Sequence, residues 1–425
     1  MALTLKDVKE AYSLKNNFRT IFYRTNDRWA FMDGWRFIGI AMVISGHCIF
    51  SLQFEYGMDW WRKTVENMPM YFHWMINGDN AIDAFFMISA FLMANMLMKQ
   101  HQERGKIKVG IFYLSRYMRL TPAYFLAIGV YLSVQPDALE TKTLWPNFIY
   151  LQNFIQDYDQ IFMHFTWSLA LEEQFYVLLP PFLIFIFYKS NQKIAWLAGL
   201  FLFSFLIRLY FVMNDEILRT TPFKEIVFNE KYFEHWFVSF YDNLYTRYGA
   251  FICGIFAAYI FRYKSSEIQE FMQTKSALWL THFCLLIWFA LLLVPVLHKD
   301  FLMTYEFNIF WQTCKRNIFT FSSTWLILCG LYPNHLAKRY LNFMSLKIFH
   351  PFGHLLYSMY LFHYIAVGFV MLNLKANIEY YQIDISEVFI PFILLAFILS
   401  FICTMILSMI TFLLIELPIM NLRPK

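Results

Sequence analysis

Apolar positions along this chain fall into long blocks rather than short periods. Ten runs, near 35–53, 79–98, 111–134, 172–188, 194–213, 241–261, 277–297, 308–331, 354–373 and 388–416, are long enough to span a hydrocarbon core about 30 Å thick. This pattern predicts an all-α fold, a polytopic membrane helix bundle of about ten transmembrane helices, because a backbone in lipid must satisfy its own hydrogen bonds. The last run is long enough to tilt or to extend beyond the bilayer. Residues 144–156 are apolar but short, bounded by Pro146 and the polar stretch Gln156 to Gln160, and read as interfacial or re-entrant. Residues 1–34 hold no continuous apolar run and carry scattered basic residues. They are expected to form a cytoplasmic N-terminal segment without a cleavable signal peptide.

Composition agrees. Of 425 residues, 59% are hydrophobic and 15% charged, where soluble domains carry about 25% charged residues. The net charge of +5 bears on topology more than on partners. With the N-terminus inside, the inner segments hold about 20 of the 35 Lys and Arg against about 8 in the outer loops, so both termini are expected to be cytoplasmic. The remaining basic residues, Arg36, Arg116, Arg119, Arg208, Arg247, Lys315 and Arg316, lie inside or at the edges of spans. The outer loops are too short for a separate folded domain, so the chemistry is expected within residues 35–420. The six cysteines sit in apolar stretches without metal-ligand spacing, which predicts neither a disulfide framework nor a metal site. Basic residues along one membrane side, rather than in a soluble groove, argue against nucleic acid.

Within the first run, GWRFIGIAMVISGHCIF, Arg36 and His47 stand eleven residues apart. Eleven helical steps return nearly to the starting face and rise about 16 Å. Ionisable residues at those depths are costly against lipid and read first as functional. The third run begins SRYMRLTPAY, which places Arg116 and Arg119 on one face at the same inner edge. Three arginines at one depth suit a phosphorylated ligand from the cytoplasm, or else anchor the inner leaflet. In the second run, NGDNAIDAFFMISAFLM, Asp79 suits a helix N-cap. The deeper Asp83 suits either a partner that orients His47 as a general base or an ion pair with Arg247.

The string HFTWSLALEEQFYVLLPP, residues 164–181, opens the fourth helix, with Thr166 or Ser168 as cap and Glu172 and Glu173 in its opening turns. Capping explains one carboxylate better than two, framed as they are by Trp167, Phe175 and Tyr176. Adjacent residues face different ways, so one of the pair is expected to face a site. His363, in LLYSMYLFHYIAV, reads as a packing histidine or as part of a site, and Glu416, in FLLIELPIMNLR, as a partner for an inner arginine.

Taken in order, Arg36–x10–His47, DAFFMISAF, RYMRLTPAY, WSLALEEQFY, RYGAFICGIFAA, LYSMYLFH and IELP resemble the acyltransferase 3 family of integral membrane acyltransferases, which includes bacterial O-antigen acetyltransferases. The resemblance runs from about residue 33 to 420. It implies transfer of an acyl group, usually acetyl, from cytoplasmic acyl-CoA to a hydroxyl of a carbohydrate or glycolipid acceptor such as lipopolysaccharide O-antigen, at a bacterial inner membrane. Acetyl-CoA would then be a donor substrate, with no permanently bound cofactor, and membrane lipids would surround the bundle. Arg36 and His47 match the family's functional motif.

On that reading Arg36, Arg116 and Arg119 bind the coenzyme, and His47, oriented by Asp83 or Glu172, deprotonates the acceptor. Glu173, Ser168, Tyr176 and His363 lie toward the acceptor side. Two departures stand out: Ala90 follows Ser89 where relatives usually have Gly, and no extracytoplasmic hydrolase-like domain is expected. The main rival is a secondary transporter or flippase-like protein for lipid-linked sugars or small anions, although no matching Gly/Pro-broken helices mark two halves. A homo-oligomer is compatible with the sequence.

Overall fold

A computed structural model describes residues 5–24, 29–334 and 336–423; residues 1–4 and 25–28 of the expected N-terminal segment lie outside the described residues, as do 335, 424 and 425. Each of the ten predicted runs contains a long helix. These are α1 (Ala30–Tyr56), α2 (Asp79–Arg104), α3 (Val109–Val134), α4 (Trp167–Phe182), α5 (Lys193–Asn214), α6 (Leu244–Tyr263), α7 (Lys275–Leu293), α8 (Tyr305–Leu331), α9 (His350–Tyr380) and α10 (Phe389–Thr411). Among the described residues, eight helical stretches are long and apolar enough to cross a membrane. The exceptions are α3 and α8, which match the others in length but carry Arg116 and Arg119, and Lys315 and Arg316. The all-helical membrane fold therefore stands, with eight rather than ten spans clear on apolarity alone.

The short apolar segment at 144–156 forms two brief turns, Trp145–Phe148 and Gln152–Phe154, rather than a span. Its polar side chains turn inward: Asn147 Nδ2 donates to the Phe162 carbonyl at 3.1 Å, and Gln152 Nε2 to the Thr166 carbonyl at 3.0 Å. The segment thus braces the entrance to α4. Near the N-terminus, Leu14–Phe22 exposes Leu14, Phe18 and Phe22 beside Lys15 and Arg19, the pattern of a helix lying at a membrane surface.

The chain forms two compact units. The first comprises Met1–Thr64, Val109–Pro136 and Asn342–Lys425, and so holds α1, α3, α9 and α10. The second comprises Val65–Lys108 and Asp137–Leu341, and holds α2 and α4 to α8. Within the second unit α6 lies against α2 at Gly254. A Cβ built there would stand 2.6 Å from Ala90 Cβ and 2.8 Å from the Phe91 nitrogen, and closer still to the Met87 carbonyl oxygen. Two of those atoms are backbone and cannot swing aside. Ala90 therefore fits because the facing residue is glycine. Gly254→Ala should destabilise the protein by roughly 1–3 kcal/mol, as overpacking of a tight contact does, and a thermal unfolding midpoint equal to wild type would refute this.

Candidate active site

In the first unit, α1 and α9 run parallel, with Asp33 meeting His350 at one end and His47 meeting His363 further along. The Asp33 carboxylate accepts from Arg36 Nη1 at 3.4 Å, Arg24 Nη2 at 3.4 Å and His350 Nδ1 at 3.3 Å. Gly353 makes room for it, since any side chain at that position would overlap Asp33 Oδ1. The charge of Arg119 acts on Arg36, His354, Glu416 and Arg423, which brings residues of α1, α3, α9 and the C-terminal turns to one place. His354 packs 5.0 Å from the His350 ring, and the Ser358 hydroxyl donates to buried Glu416. Arg116 is buried on α3. The outcome is a concentration of arginine and histidine around two carboxylates.

His47 lies about 16 Å along α1 from Arg36. Its Nδ1 is 2.9 Å from the Val43 carbonyl oxygen. A carbonyl only accepts, so Nδ1 carries the proton and the lone pair lies on Nε2. The buried His363 makes the same kind of bond, Nδ1 to the Tyr360 carbonyl at 2.6 Å. The two imidazoles meet edge to face with centroids 4.8 Å apart, and Tyr364 closes on His47 at 5.6 Å. Two histidines of like tautomer thus share one spot on neighbouring helices.

The second unit holds a buried charge network. Asp83 on α2 accepts from Arg247 Nη1 at 3.1 and 3.3 Å and from Arg316 Nη1 at 2.8 Å. Asp79 accepts from Lys315 at 3.1 Å and from Arg316 Nη2 at 2.8 Å. Arg208 is enclosed by three backbone carbonyls, those of Thr246, Gln312 and Thr313. Beyond this network, Glu172 Oε1 accepts from Ser89 Oγ and from Tyr176 Oη at 2.5 Å each, while Ser89 and Tyr176 stand 2.7 Å apart. Tyr176 is one helical turn after Glu172, so α4 itself supplies half of that cluster.

The sequence profile of an acyltransferase domain matches residues 29–409, nearly the whole chain. The chain belongs to the acyltransferase 3 family. The chain is 28% identical over 299 residues to the nose resistant to fluoxetine protein 6 of Caenorhabditis elegans, a match covering 62% of this chain and 36% of that protein. It is 22% identical over 319 residues to the O-acetyltransferase OatA of Staphylococcus aureus (strain NCTC 8325 / PS 47), covering 70% of this chain and 47% of that one. The chain thus spans about a third to a half of the length of these relatives. No solved structure matches it.

For this acyltransferase 3 chain, the structure brings Arg36 together with Arg119, His47 with His363, and Glu172 with Tyr176. His47 and His363 belong to the first unit, and Asp83, Glu172, Glu173 and Ser168 to the second. Asp83 is taken by Arg247, the ion pair weighed from sequence, and by Arg316. The bond seen to orient His47 comes instead from its own helix, at Val43.

Three expectations about caps are corrected. Asp79 does not cap α2, because two cations hold its carboxylate. Thr166 occupies the N-cap position of α4 but makes no capping bond, its hydroxyl donating back to Met163 at 2.8 Å. Ser168 does not cap α4 either: it is buried inside the first turn, with Glu173 half-buried one turn on.

Sequence reasoning missed Asp33, Ser89, His350 and His354. For Asp33 the signal was there, since an aspartate three residues before an arginine is a helical ion-pair spacing. Nothing local marks the others.

Proposed function

We propose that this protein is an integral membrane O-acyltransferase that moves an acyl group, acetyl above all, from acyl-CoA at the cytoplasmic face to a hydroxyl of a cell-envelope carbohydrate such as lipopolysaccharide O-antigen. The setting is a bacterial inner membrane with both termini cytoplasmic. The observation that carries this reading is the pairing of two features on α1: an arginine and histidine cluster at one end, and a histidine with its basic nitrogen available about 16 Å further along. An anionic donor with a long thioester arm needs both.

Arg36, Arg119 and Arg116 hold the coenzyme phosphates, with Asp33 fixing the Arg36 guanidinium. His47 Nε2 takes the acceptor hydroxyl proton as the oxygen attacks the thioester carbonyl carbon. The carbon–sulfur bond breaks, the sulfur leaves as thiolate, and His47 returns its proton to give the free thiol and an ester. His363 holds the His47 ring edge-on.

The test uses the full chain in lipid vesicles with acetyl-CoA outside and a carbohydrate acceptor present. Release of free thiol matched by an acetylated acceptor supports the enzyme. Accumulation of unmodified sugar inside the vesicles without thiol release would establish transport instead. A separate measurement addresses the donor end. Arg36→Ala should weaken acetyl-CoA binding by about 10- to 100-fold, as loss of a charged hydrogen bond does. Asp33 keeps Arg24 and His350 in that variant, so the fold should hold. Unchanged affinity would remove Arg36 from the donor site.

A further inference from the structure

The charges of the buried network around Asp79 and Asp83 do not balance. Arg208, Arg247, Lys315 and Arg316 are all at most 6% exposed, and the carboxylates among them are Asp79 and Asp83. Counting Asp242, also fully buried, as ionised still leaves one positive charge in excess. An uncompensated charge in low dielectric is costly, and an anion is the ordinary remedy.

The hydrogen bonds show where such an anion would sit. Arg247 has no exposed side-chain surface. Its Nε donates to the Tyr241 carbonyl at 2.8 Å and its Nη1 to Asp83, while Nη2 finds no acceptor among the described residues. The rings of Trp167 and Tyr241 lie over the guanidinium at 4.6 and 4.2 Å, so only its edge is left to meet a ligand. Two more buried polar atoms gather around Tyr241. Trp236, whose ring is 4.5 Å from that of Tyr241, has an indole N–H without an acceptor among the described residues. Asp242, next in the chain, uses Oδ1 for the Asn243 amide at 3.1 Å and leaves Oδ2 without a partner.

We infer that Arg247, Trp236 and Asp242, arranged around Tyr241, form a binding site for a sugar that carries an oxyanion, either a carboxylate or a phosphate ester. Arg247 Nη2 and the Trp236 indole donate to the oxyanion, and Asp242 accepts from a sugar hydroxyl. The site deepens the acyltransferase reading by giving the acceptor a negative charge, and it rests on that reading for the carbohydrate.

The experiment measures equilibrium binding to the full chain in lipid nanodiscs, without coenzyme, using glucuronate, glucose 6-phosphate and glucose as probes. One or both anionic sugars should bind at least about tenfold more tightly than glucose, and the stronger of the two identifies the oxyanion. Arg247→Lys keeps a cation for Asp83, and so the fold, but removes the second donor edge; anionic-sugar affinity should fall about tenfold or more while glucose is unaffected. Trp236→Phe should cost a few-fold by the same reasoning. Equal binding of all three sugars, or an Arg247→Lys protein that binds the anions like wild type, would overturn the site. Anionic-sugar binding with no thiol release under any acceptor would leave the site standing and remove the acyltransferase reading. Thiol release with no preference for charged acceptors, together with equal binding, would do the reverse.

Discussion

Replacing His47 with alanine is expected to slow acetyl transfer by about 10²- to 10⁴-fold, the usual worth of a positioned general base. The fall should appear in kcat, because the proposed donor residues Arg36, Arg116 and Arg119 are unchanged, and the KM for acetyl-CoA should change little. His47→Asn sharpens the test. Its amide can still donate to the Val43 carbonyl, so the local helix contact survives while the basic nitrogen is lost. Both variants should be similarly slow, and added imidazole should restore part of the rate to His47→Ala. A His47→Ala protein that releases thiol at the wild-type rate would exclude His47 as the base, and full activity in His47→Asn alone would make it a structural residue.

The second large effect concerns stability and depends on the sign of the charge removed. Asp83 is 1% exposed and stands between Arg247 and Arg316. Removing a buried ion-pair partner typically costs about 3–5 kcal/mol. Asp83→Asn should reach that range, because it raises an existing positive excess and leaves two guanidinium groups facing each other. Arg316→Gln removes the same contact and one more to Asp79, yet it lowers the excess, so it should cost less. Thermal unfolding of both variants in one detergent decides the matter. A larger loss in Arg316→Gln would show that hydrogen-bond count, rather than charge balance, governs this network.

Most of the fold was legible because membrane insertion demands long apolar runs, and every one of the ten runs contains a helix. What misled was charge: α3 and α8 carry paired cations that place them at the limit of what apolarity can identify. The Arg36 to His47 spacing was readable for the same reason as the helices, since a single helix fixes how its own residues face. The same local rule explains why Glu172 and Tyr176, one turn apart, meet. Local rules failed wherever the partner is distant in sequence. Asp83 meets Arg316 across 233 residues and Asp33 meets His350 across 317, separations at which periodicity carries no information. The cap expected at Asp79 failed for a related reason. A local preference worth about 1 kcal/mol gives way to two buried cations arriving from α8.

The interleaving of the two units has a consequence for biogenesis. The helix bearing Arg36 and His47 is synthesised before the second unit, yet the residues that complete its surroundings, His350 and His363, come only after the whole of that unit. At roughly 5–20 residues per second, the 317-residue separation from Asp33 to His350 takes on the order of half a minute to emerge. Throughout that interval an arginine, an aspartate and a histidine wait in or beside lipid without their final neighbours. The Arg36 end of α1 therefore closes late, and it is where dependence on a membrane insertase or chaperone should be greatest.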